Sequence, residues 1–155
     1  MRKILNLKNI LLVLFLIFIS INVCFAQKAP DFLLKDTKDK LYSLSDYKNE
    51  KIIIFFWSVR CYYCIKEMQR IKKNYSQLKQ NGWKIVSINV ADSKAAVENY
   101  LRRYELDFNV LLDSDLKVSM EYGIYGVPTF YFLNKKHELI FVDNVIPDNL
   151  SEYER

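Results

Sequence analysis

Apolar and polar positions follow two different periods along this chain, and each change of period marks an element. Ile52 to Trp57 is an unbroken apolar run, rich in β-branched and aromatic side chains. That is the pattern of a strand covered on both faces. From Cys61 to Gln80, the residues Ile65, Met68, Ile71, Tyr75 and Leu78 recur at steps of three and four, and Asn81-Gly82 follows. This predicts one apolar face of a helix with a stop at its end. Lys84 to Val90 alternates and predicts a strand. Asp92-Ser93 is placed to cap a second helix with the stripe Val97, Tyr100, Leu101 and Tyr104. Val110-Leu111-Leu112 predicts a short strand, and Asp113-Ser114-Asp115 a cap for a short helix carrying Leu116, Val118 and Met120.

The two ends of the chain read as hairpins. Leu33-Leu34 and Leu41/Leu44 flank the charged turn Lys35 to Lys40, and Ser45-Asp46-Tyr47 is placed to cap one helical turn. Thr129–Leu133 and Glu138–Val142 pair across Asn134 to His137, and Pro147 to Arg155 starts a last short helix. Strand–helix–strand–helix–strand followed by a hairpin predicts an α/β domain with a mixed central β-sheet flanked by helices. No repeat or linker divides residues 27–155, and 155 residues suffice for one domain with a real core.

Residues 1–26 have a different character. Arg2, Lys3 and Lys8 precede the unbroken apolar run Ile10 to Ile19, and Cys24-Phe25-Ala26 puts small residues before Gln27. These are the three parts of a secretory signal. The apolar run is short beside the ~20 residues of a membrane span. Cleavage after Ala26, retention of residues 10–26 as a membrane anchor, or lipidation at Cys24 all place residues 27–155 outside the cytoplasm. Removing this segment also changes the charge. The formal +5 of the chain falls to +2 for residues 27–155, and no basic run with interleaved aromatics remains. Nucleic-acid binding therefore has no support.

Of the three cysteines, Cys61 and Cys64 are the pair in the domain. A disulfide-stapled scaffold would need more pairs, more widely spaced. A Cys-x-x-Cys opening a helix directly after a buried strand points instead to redox chemistry. Cys61 would be the more exposed thiol, its thiolate favoured by the helix N-terminus and by Arg60 beside it; Cys64, one turn inside, would resolve the mixed disulfide. Zinc would need two further ligands, and the domain offers only His137. No metal is expected, and no cofactor beyond a redox-active disulfide. Gly126-Val127-Pro128-Thr129, at a strand entrance, makes Pro128 a candidate cis-proline whose neighbour Val127 would leave backbone groups for an extended substrate.

These motifs lie in an order that resembles the thioredoxin superfamily, specifically the TlpA/ResA-like extracytoplasmic thiol-disulfide oxidoreductases. The residues that carry the resemblance are Ala29-Pro30-Asp31-Phe32, Tyr42 to Asp46, Phe56 to Cys61, Glu67-Met68 and Tyr122 to Thr129. It covers nearly all of 29–145. It implies a thioredoxin-like fold with an N-terminal β-hairpin and a strand–helix insert near 84–105. It also implies catalytic roles for Cys61, Cys64 and Pro128, with Glu67 as an acid that moves protons between the thiols. The implied partners are disulfide-containing envelope proteins, apocytochrome c among them, and a membrane thiol donor.

The chain departs from that pattern at several positions. Arg60 stands where relatives usually have Trp, Tyr62-Tyr63 fills a dipeptide that often holds Pro, and Gln69 replaces a helix-kinking Pro. Two other functions compete. A peroxiredoxin-like peroxidase would want Pro where Ile54 stands, although Ser58 fits its pattern. An envelope copper chaperone would want wider cysteine spacing and a positioned histidine. Tyr62, Tyr63 and Tyr125 serve either as an aromatic rim for a partner or as packing.

Overall fold

The computed structural model describes residues 27–106 and 109–150. The signal segment 1–26, with its cleavage, anchor and lipidation alternatives, lies outside the described residues, as does the predicted last helix beyond Leu150.

One seven-stranded sheet runs through the domain in the order β2-β1-β5-β4-β3-β6-β7. Its strands are β1 Leu33–Asp36, β2 Leu41–Ser43, β3 Lys51–Trp57, β4 Trp83–Val90, β5 Val110–Asp113, β6 Thr129–Leu133 and β7 Leu139–Asp143. The helices are α1 Tyr62–Gln80, α2 Lys94–Arg103 and α3 Lys117–Glu121, with a 3-10 turn at Leu44–Tyr47. β3, β4 and β5 are parallel, joined by α1 and α2. β6 returns antiparallel against β3, and β1 antiparallel against β5. The sheet is therefore mixed, as the pattern predicted, with the N-terminal hairpin on one edge and the C-terminal hairpin on the other.

β3 is central because every side chain from Ile52 to Trp57 is apolar and all are fully buried. Successive side chains of a strand point to opposite faces. Ile53, Phe55 and Trp57 pack with Met68 and Ile71 of α1, Val97 of α2 and Phe130 of β6. Ile52, Ile54 and Phe56 pack on the other face with Phe32, Leu44, Leu111, Val118 and Tyr122. Rings stack across the sheet, with Phe55 and Phe130 centroids 4.5 Å apart. Each buried aromatic or aliphatic side chain here contributes about 1.5–3 kcal/mol. That burial fixes β3, and β3 fixes the loop that follows it.

Three local expectations are redrawn. The turn at 44–47 is capped from Ser43, whose N–H donates to Asp46 at 2.7 Å, rather than from Ser45. Asp31 also accepts from the Leu44 N–H at 2.8 Å, so the Pro30-Asp31-Phe32 motif serves the fold by capping and filling. For α2 the cap is Ser93 alone, through its hydroxyl and the Ala96 N–H at 3.3 Å. Tyr75 is 44% exposed although it lies on the α1 stripe; Met68, Ile71 and Leu78 fill the contact with the sheet, and a Tyr tip favours water. α1 runs unbroken for 19 residues, consistent with Gln69 in place of a kinking proline.

Candidate active site

The site is built at the C-terminal end of β3, where the chain turns into α1. The turn Ser58–Arg60 is closed by the Cys61 N–H donating to the Ser58 carbonyl at 3.1 Å. It is pinned from the neighbouring strand end by Asp92, which is 6% exposed. The Asp92 carboxylate accepts from the Val59 N–H at 2.8 Å and from Asn89 Nδ2 at 3.0 Å. Asp92 therefore serves the cysteine loop and not α2. Its other oxygen lies 3.6 Å from Arg60 Nε. The Arg60 side chain is 79% exposed, so its charge, expected to favour the Cys61 thiolate, is shared between water and a buried carboxylate.

Cys61 is the N-cap of α1, in an extended conformation, and its Sγ accepts from the Cys64 N–H at 3.1 Å. That donor and the helix dipole favour negative charge on this sulfur. Cys61 and Cys64 are joined by a disulfide with Cα atoms 5.2 Å apart. Cys64 is fully buried and Cys61 only partly so, the order of exposure anticipated for attacking and resolving thiols.

The second wall comes from the loop before β6. Pairing of Phe56 with Thr129 brings that loop beside the end of β3. The Val127–Pro128 peptide bond is cis, and the Val127 carbonyl oxygen lies 3.4 Å from Cys61 Sγ. The carbonyls on either side are occupied. Gly126 accepts from the Thr129 hydroxyl at 2.7 Å and Pro128 from Asn144 Nδ2 at 2.7 Å.

Between the two walls lies a groove of about 380 Å³, bordered by Tyr63, Lys66 and Glu67 of α1, by residues 126–128, and by Asn144 and Val145. Tyr62 and Tyr63 at its rim are 63% and 66% exposed, and the Lys66 ammonium lies 4.8 Å from the Tyr62 ring centre. Tyr125, on the loop before Pro128, is fully exposed. These three rings are a surface feature and not packing.

Glu67 is 6% exposed, so it is no solvated surface acid. Arg70 Nη1 donates to both of its carboxylate oxygens, at 3.1 and 3.2 Å. Burial works against the Arg70 charge, but Glu67 and Asp148 beside it outweigh that and hold the guanidinium above its ordinary range. His137 stands apart from the site, in the turn at the far end of β6, with Nε2 3.0 Å from the Tyr47 carbonyl oxygen. Glu67 and Pro128 thus border one groove, and Cys61 lies against its Val127 wall with Cys64 buried behind it, while Asp92, Arg70 and Asn144 were not singled out from sequence. Arg70 had a legible signal in its i,i+3 spacing from Glu67; Asp92 read only as a helix cap, and Asn144 had none.

The AhpC/TSA family model matches residues 25–142 of this chain. Among curated proteins, the thiol-disulfide oxidoreductase ResA of Bacillus subtilis is 36% identical over 114 residues, which cover 74% of this chain and 64% of that protein. The thiol-disulfide oxidoreductase ResA of Geobacillus kaustophilus is 32% identical over 117 residues, covering 76% and 67%. The chain spans about two thirds of the length of these relatives. Among solved structures, StoA from Bacillus subtilis superposes with a TM-score of 0.68 at 26% identity, over 82% of this chain and 98% of that one. The chain belongs to the AhpC/TSA family and has the thioredoxin-like fold.

Proposed function

We propose that this AhpC/TSA-family chain is an extracytoplasmic protein thiol-disulfide oxidoreductase that reduces disulfides in envelope proteins. The observation that carries the proposal is the bonded Cys61–Cys64 pair at the N-terminus of α1, with the Val127 carbonyl 3.4 Å from the outer sulfur. The names of its relatives agree with that chemistry. The apolar run Ile10 to Ile19 behind basic residues supports export, whether the segment is cleaved, kept as an anchor or lipidated.

In the reductive cycle both cysteines begin as thiols. The Cys61 thiolate attacks one sulfur of the substrate disulfide; that S–S bond breaks, and the departing substrate sulfur takes up a proton. Cys64 then loses its proton, with Glu67 as the acid that handles it, and attacks Cys61 Sγ. The second substrate sulfur leaves and is protonated. Substrate has gained two electrons and two protons, and Cys61–Cys64 is a disulfide again. A thiol donor at the membrane restores the dithiol, so the cysteine pair is itself the redox group and no further cofactor takes part. Val127 offers its backbone to an extended substrate segment lying in the groove.

The surroundings of Cys61 support the reducing direction. A dithiol becomes oxidising when its reduced form is stabilised as thiolate. Here the Cys64 N–H favours the thiolate, but Arg60 is engaged by Asp92 and a carbonyl oxygen faces the sulfur. A peroxidatic role lacks support from the position seven residues before Cys61, where Ile54 is fully buried inside β3.

The test is reduction of a protein disulfide, with insulin as the probe and dithiothreitol as electron source. The wild type accelerates insulin precipitation, and Cys61→Ser abolishes that activity. Equal rates for the two proteins would overturn the proposal.

A further inference from the structure

The hydrogen bonds around Glu67 join three parts of the fold at the groove. Arg70 Nη1 holds the carboxylate, while its Nη2 donates to the Ile146 carbonyl at 3.0 Å and to Asp148 Oδ1 at 2.8 Å. The Ile146 N–H in turn faces Glu67 Oε2 at 3.4 Å. Two residues before Ile146, Asn144 holds the Pro128 carbonyl at 2.7 Å. The stretch 144–148 is therefore fastened on both sides of the groove: to the cis-proline loop through Asn144 and to α1 through Arg70. Val145, between the two fastenings, borders the groove itself.

A planar guanidinium can serve a carboxylate and a carbonyl at once, which a single ammonium on a flexible stem does poorly. The outermost of these bonds contributes little, because the Asp148 side chain is 95% exposed. The bonds to Glu67 and Ile146 are the ones that matter, since their acceptors are buried.

We propose that Arg70 is a positioning residue for disulfide exchange: it sets the Glu67 carboxylate against the Ile146 backbone and keeps 144–148 docked as the third wall of the groove. The inference rests on the exchange reaction proposed for Cys61–Cys64. Arg70 acts through Glu67, whose charged and titratable neighbours are Tyr63, Lys66 and Arg70 on α1 and Asp148 on the facing stretch, with Cys64 one turn earlier on the same helix. The cis-proline loop, residues 126–128, presents none.

The experiment measures insulin-disulfide reduction from acid to alkaline pH for wild type, Arg70→Gln, Arg70→Lys, Glu67→Gln and the double variant Glu67→Gln/Arg70→Gln. Arg70→Gln should lower kcat/KM by about tenfold and change the shape of the pH profile, and Arg70→Lys should recover only part of the loss. In the Glu67→Gln background the same change should cost no more than about twofold, as coupled neighbours show. An unaltered pH profile, or losses that simply multiply in the double variant, would overturn the assignment. Should Arg70→Gln fail to fold, as judged by far-UV circular dichroism, Arg70→Lys and a further double variant, Glu67→Gln/Arg70→Lys, decide by the same two criteria: an altered pH profile, and a smaller loss in the Glu67→Gln background. A wild type without exchange activity defeats the proposed function and this inference with it. A fully active wild type matched by Arg70→Gln defeats this inference alone.

Discussion

Glu67 and Asp113 are both buried carboxylates on α/β elements, 6% and 0% exposed, yet they are satisfied in opposite ways. Asp113, at the end of β5, accepts from two backbone amides of the turn that follows it, Val118 N–H at 3.2 Å and Ser119 N–H at 2.7 Å. Those donors cannot rotate away, and they let Leu116 sit in a left-handed conformation, φ 65°, at the start of α3. Glu67 is held chiefly by a side chain, Arg70, and borders a groove beside a redox pair. A carboxylate tied to its own next turn shapes the backbone. The proton-handling role proposed for Glu67 belongs to the second arrangement, a carboxylate tied to a guanidinium on the wall of a groove.

The two acids should therefore fail in different assays. Asp113→Ala leaves two buried N–H groups without acceptors and should lower unfolding free energy by about 3 kcal/mol, since each such orphan costs about 1–3 kcal/mol. Urea denaturation checks this, and exchange per folded molecule should be unchanged. Glu67→Gln should do the reverse. Its rate of disulfide exchange should fall by about a hundredfold, the lower reach of acid–base catalysis, with a stability loss near 1 kcal/mol. If Asp113→Ala slows exchange in folded protein, or Glu67→Gln unfolds without slowing it, the distinction between them is lost.

A smaller effect concerns acids buried in the neutral form. Burial pushes the Tyr47 and Tyr100 hydroxyls up from 10.0 to about 12, and Tyr122 is raised by the same cause. Between 10.0 and about 12 the unfolded chain gives up protons that the native state keeps. Stability is thus intact below the ordinary Tyr value and falls as pH rises through that window. Urea midpoints on either side of it should show the drop, and Tyr47→Phe should lessen it. A midpoint independent of pH there would contradict the burial of these hydroxyls.

Most of the framework was legible because it is local. The apolar run of β3, the stripe of α1, the hairpins and the Cys61-x-x-Cys64 and Gly126-Val127-Pro128-Thr129 motifs each sit within a short window. What sequence could not show is where polar side chains reach across the fold. Asp31 caps a turn 13 residues on, Asp92 holds Val59 across 33 residues, Asn144 reaches Pro128 across 16, and Arg70 reaches Ile146 across 76. Propensity and periodicity compare neighbours three or four positions apart, so such partners are invisible to them. Arg60 illustrates the consequence. Beside Cys61 in sequence it reads as a charge for the thiolate, and only the fold brings Asp92 up to answer it.

The reduction potential of the Cys61–Cys64 couple, measured by equilibration against defined thiol–disulfide buffers, tests the reductive assignment most directly. A sulfur facing the Val127 carbonyl, with Arg60 turned to Asp92, should give a value close to the about −270 mV of thioredoxin. A value close to about −120 mV, that of a strongly oxidising dithiol, would contradict it.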